Sequence, residues 1–144
     1  QHYRGWLDAH DSAGLAPDPS LVMAEADGFD GGRAGVAALA ARGATVDAVV
    51  AADDLIALGA LRALAATGRT VGDAVALIGN GDLAAGRMAT PALSSVACDV
   101  AGAAARLIAA FADNAPLRAE RLAADIVIRE SCGGADQAGL SGAA

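Results

Sequence analysis

Apolar positions along this chain alternate between two spacings. From Ala48 to Ala52 they form an unbroken run, the pattern of a strand buried on both faces of a parallel sheet. From Leu55 the period changes. Leu55, Leu58, Leu61 and Leu64 recur every third residue and, with Ile56 and Ala65, outline the stripe of a helix reaching about Thr67. Elsewhere Leu21 to Ala24 reads as a first strand, Ala74 to Ile78 and Ser94 to Ala97 as further ones, and Ile126 to Ile128 as the last. An opening helix carries Tyr3, Trp6, Leu7 and His10 and closes at Gly14; Pro17 and Pro19 stiffen the link that follows. A second helix runs from about Gly32 to Arg42 with Val36, Leu39 and Ala40 inward, ending at Gly43. A third, capped by Asp99, places Val100, Ala104, Leu107, Ile108 and Phe111 on one face before Asn114 and Pro116 stop it. Strands alternating with helices predict an α/β fold: a Rossmann-like parallel sheet flanked by helices.

In such a sheet, ligands bind at the carboxyl ends of the strands. Three stretches fall there. Asp53 and Asp54 separate the central strand from its helix, and the pattern assigns Asp54 to the helix cap, leaving Asp53 on the lip and free to face a ligand. Asp27 to Gly32 is a glycine-rich loop carrying Phe29, either a lid over the core or a ring to stack on a sugar. Gly79-Asn80-Gly81-Asp82 offers two polar side chains between glycines that let the backbone approach a ligand. No phosphate loop, dinucleotide fingerprint or nucleophile elbow occurs, and His2 and His10 have no partners at metal-ligand spacing. Hence no cofactor, no metal and no catalysis are expected.

The 144 residues, 55% hydrophobic, suffice for one domain's core. A net charge of −7 argues against direct contact with a phosphate backbone. No run of about 18 apolar residues spans a bilayer. The polar first residues suggest no leader, and the missing initiator Met suggests a fragment. Cys98 and Cys132 fit no redox or metal spacing and read as reduced. The Gly/Ala/Ser stretch 133–144 reads as a disordered tail.

Four segments in order resemble the effector-binding domain of the lactose and galactose repressor (LacI/GalR) family. They are Asp47 to Leu61, Val75 to Gly79, Pro91-Ala92-Leu93-Ser94-Ser95-Val96, and Val127-Ile128-Arg129-Glu130-Ser131. The resemblance covers His2 to Cys132. It implies a type 1 periplasmic-binding-protein fold, with residues 1–90 and 121–132 in the carboxyl-terminal subdomain and 91–120 supplying a crossover strand and a helix to the other. It further implies a cytoplasmic sensor of a small neutral effector such as a sugar. DNA contact would come only through a helix-turn-helix headpiece absent here, and a homodimer would form through Leu58, Met88 and Ala89. Ligand residues carried over are Asp53, Asn80, Asp82, Phe29 as the nearest aromatic, and His2 where members usually have Arg, a change that disfavours an anionic effector. A transporter's extracytoplasmic sugar-binding protein is the alternative; Pro91 to Val96 and Arg129-x-Ser131 favour the regulator.

Overall fold

The structure is a computed structural model that describes residues 2–24, 27–116, 119 and 121–134. Helix α1 (His2–Ser12) ends at Gly14, whose φ of 68° is the left-handed turn expected there. Helix α2 (Gly28–Ala41) leads to strand β1 (Ala48–Val50), then helix α3 (Asp54–Ala66), strand β2 (Ala76–Asn80) and the one-turn helix α4 (Ala84–Arg87). Strand β3 (Ser94–Cys98), helix α5 (Val100–Ala112) and strand β4 (Ala124–Val127) complete the order.

The sheet runs β1-β2-β3-β4, with β1, β2 and β3 parallel and β4 antiparallel to β3. Its register pairs Val50 with Ile78, Asn80 with Val96, and Val96 with Ile126. The core lies between the sheet and the α2/α3 pair. Leu77, Val75 and Leu93 are fully buried and meet Ala57, Ala60, Leu61 and Leu64 of α3 and Val36 of α2. The helices approach closely because glycines meet backbone: a Cβ on Gly32 would overlap the Ile56 carbonyl oxygen, and one on Gly59 would overlap that of Phe29.

Several expectations change. Leu21 to Ala24 forms no strand; Pro19–Leu21 is a 3-10 turn, and among the described residues β1 pairs only with β2, so this segment joins no ladder. Being an edge, β1 is not buried on both faces, and Val50 is 72% exposed. Helix α2 starts four residues early, so Phe29 sits on its first turn and not in a loop; its glycines serve packing against α3. Ala40, expected inward, is exposed, as is Leu55, because α3 turns Ala57, Ala60, Leu61 and Leu64 to the core. Helix α5, by contrast, is as expected: Asp99 caps it, accepting from the Gly102 amide at 2.8 Å, and the stripe that the resemblance to a two-subdomain fold leaves without cover buries no side chain, Val100, Ile108 and Phe111 all being about two-thirds exposed. Residues 135–144 of the expected tail lie outside the described residues.

Candidate functional site

The carboxyl ends of β1 and β2 lie side by side, so Asp53, three residues past β1, and Asn80, the last residue of β2, leave the same edge of the sheet. Asp53 leaves the strand in extended geometry (φ −148°, ψ 170°), and its Oδ1 accepts from the Ile56 amide at 2.8 Å. It is therefore the helix cap, a role worth about 1 kcal/mol. Asp54 is not the cap. Its carboxylate points back beneath the rim, wholly buried, where Oδ1 accepts from the Ser95 hydroxyl at 2.7 Å and Oδ2 from the Leu83 amide at 2.6 Å. Gly79 makes room for it, since a Cβ there would overlap Asp54 Oδ1.

The two acids thus exchange the roles that local sequence suggested, because the deciding donors come from β3 and from the loop before α4. Both are far away in the chain. Asp53 keeps a lip position nonetheless. It is half-buried, and among the described residues Oδ2 has no hydrogen-bond partner. Asn80, half-buried, ends β2; Gly81 follows with φ 121°, its amide bonded to the Val96 carbonyl at 2.8 Å.

Asp82 stands differently. Its Oδ1 accepts from Arg129 Nη2 and its Oδ2 from Arg87 Nη1, each at 2.7 Å, and Arg87 also donates to the Asp82 carbonyl at 2.8 Å. Arg129 further donates to the Leu93 carbonyl at 2.6 Å. Both carboxylate oxygens are occupied, and the rim is less acidic than its aspartates alone suggest. Sequence reading misses these arginines as partners of Asp82. Arg129 had entered only as part of an ending motif, and it lies 47 residues from its partner.

Phe29, 44% exposed, sits on the first turn of α2 with its backbone carbonyl against Gly59 of α3, its ring not sealed into the core. His2 is exposed at the start of α1, a helix that buries no side chain, and no hydrogen bond among the described residues joins it to Asp53, Asn80 or Asp82. Leu58 and Ala89 are half-buried, and Met88 is 79% exposed. Two grooves elsewhere include none of the rim residues. One, of about 810 Å³, separates the flanks of α2 and α3 and is lined by Arg33, Val36 and Arg62; the other adjoins Val22 and Met23. Among the described residues no cluster of three or more His, Cys, Asp or Glu could hold a metal, and no helix is long and apolar enough to cross a membrane. Neither cysteine is in a disulfide: Cys98 is exposed, and Cys132 Sγ lies 2.8 Å from the Ser94 hydroxyl.

Residues 1–132 match the family described as periplasmic binding protein-like domain. The chain is 38% identical over 96 residues to the HTH-type transcriptional regulator CelR of Thermobifida fusca, covering 67% of this chain and 28% of that protein. A sugar-binding LacI-family regulator from Escherichia coli, solved with phosphate, superposes with a TM-score of 0.79 at 30% identity, over 88% of this chain and 47% of that one. A CelR–cellobiose complex gives 0.78 at 34% identity, over 90% and 41%. The chain spans less than half the length of each. With its mostly parallel open sheet and this match over residues 1–132, it belongs to the periplasmic-binding-protein-like domain family, on the branch of the LacI-type transcriptional regulators.

Proposed function

We propose that this chain is the effector-binding part of a cytoplasmic LacI-type regulator that senses a small neutral sugar, and that Asp53 and Asn80 supply one wall of the site. The observation that carries this is the placement of Asn80 at the end of β2 and of Asp53 at the start of the helix that follows its parallel neighbour β1, with Asp53 Oδ2 unpartnered among the described residues. A carboxylate and an amide accept and donate hydrogen bonds to hydroxyls, and Asp53 repels phosphates and carboxylates. Phe29, nearly half exposed on the first turn of α2, offers a face to the apolar side of a sugar ring. The relative solved with cellobiose supports a neutral disaccharide as the first probe.

Residues 1–90 and 121–132 form the subdomain that carries this wall, and α5 with its exposed stripe belongs to the opposite one. A ligand bridging the two shifts the balance between open and closed forms. In a homodimer joined through Leu58, Met88 and Ala89, that shift changes the geometry of helix-turn-helix headpieces on DNA, which is an allosteric coupling between two binding sites. The test is calorimetry on the full-length protein with cellobiose, sucrose, glucose and glucose 6-phosphate. Saturable heat with a neutral sugar is expected; binding of the phosphorylated sugar alone contradicts the reading.

A further inference from the structure

We infer that Asp82, two residues past Asn80, is a positioning residue that couples the ligand rim to the surface around Met88, and does not itself hold the effector; this rests on the function proposed above. Asp82 is a junction of three elements. Its amide donates to Ser95 Oγ on β3 at 3.0 Å, its Oδ1 takes Arg129 beyond β4, and its Oδ2 and carbonyl take Arg87 on α4. Its φ of 49° is the left-handed region, unfavourable for a residue with a side chain, and these four bonds hold it there.

The two ion pairs are unequal. Arg129 and Asp82 are 14% and 20% exposed, so their pair is well shielded from water and salt, whereas Arg87 is 49% exposed. The junction is therefore anchored to the β4 side and hinged on the α4 side. Arg87 closes α4, and the next residues are Met88 and Ala89. A ligand that shifts Asn80 and Gly81 moves the Asp82 backbone, and Arg87, gripping both its carbonyl and its carboxylate, transmits that movement to Met88.

Hydrogen exchange on the full-length protein, without ligand, tests the junction through a double-mutant cycle. Arg129→Gln is expected to speed amide exchange over residues 84–90 about tenfold in the wild-type background and to add nothing in an Asp82→Asn background. Equal acceleration in both backgrounds, or none in either, overturns the coupling. Because Arg129 also supports Leu93, Arg87→Gln gives a second cycle in a more exposed position with the same expected non-additivity. With cellobiose added, Arg87→Gln should bind within about twofold of wild type while the sugar-induced change over 84–90 disappears; persistence of that change contradicts the proposal. Failure of cellobiose to bind wild type bears on the effector reading and leaves the ligand-free cycles to decide this one.

Discussion

Ser95 donates its hydroxyl to the buried carboxylate of Asp54 while accepting the amide of Asp82, so one small side chain on β3 joins the start of α3 to the loop after β2. The pairing fixes the floor beneath the rim of the sheet. Charge-assisted hydrogen bonds of this kind are stronger than neutral ones, and losing one partner strands the other in a dry interior. Asp54→Ala should therefore cost about 3 kcal/mol, because the Leu83 amide and the Ser95 hydroxyl both lose their acceptor. Urea denaturation measures it, and a loss below about 0.5 kcal/mol is the contrary result.

Glycines separate into two kinds with opposite expected signs. Gly32→Ala drives a methyl into the Ile56 backbone carbonyl, which cannot turn aside as a flexible side chain would, so a loss of about 3 kcal/mol or more is predicted. Gly5 lies within α1 with nothing within 4 Å of an added Cβ, and Gly5→Ala should raise helix stability by up to about 1 kcal/mol. Thermal denaturation of both variants checks the contrast; losses of similar size would refute it.

Helix α5 should behave as a cap-stabilised but unsupported helix. Ile108→Lys is expected to change stability by less than about 0.5 kcal/mol in this chain, since Ile108 is 70% exposed. Leu77→Ala, at a fully buried position, should cost about 2–5 kcal/mol. Hydrogen exchange offers an independent check: in a verified monomer of this chain, amides of α5 should be far less protected than those of α3. Strong protection from Val100 to Phe111 would show that the stripe has found a partner.

What the sequence disclosed follows the range of the forces involved. Helix ends at Gly14 and Gly43, the cap at Asp99 and the exits of β1 and β2 are set by neighbours in the chain, and they were legible. So was the stripe of α5, whose lack of cover emerged from the resemblance to a two-subdomain fold. The strand expected at Leu21 to Ala24 was not formed, because a strand exists only beside another and β1 offers no described partner on that side. Asp53 and Asp54 were assigned each other's tasks for a similar reason. Both can cap a helix, and only Ser95, 41 residues from Asp54, decides which one is buried. Adjacent aspartates with Gly79 on the neighbouring strand were the available signal that one of them needed room. The arginines on Asp82 leave no local trace, because both ion pairs are set by the fold.

The central claim, that Asp53 serves a ligand as well as a helix, is tested most directly by titrating Asp53→Ser with the sugar that binds wild type in calorimetry. Serine is among the preferred capping residues, so the variant should retain the Ile56 amide bond and unfold within a few degrees of wild type. What it lacks is the second carboxylate oxygen. At least about tenfold weaker binding is expected, the equivalent of one charge-assisted hydrogen bond; unchanged affinity in a normally folded variant would rule out a ligand role for Asp53.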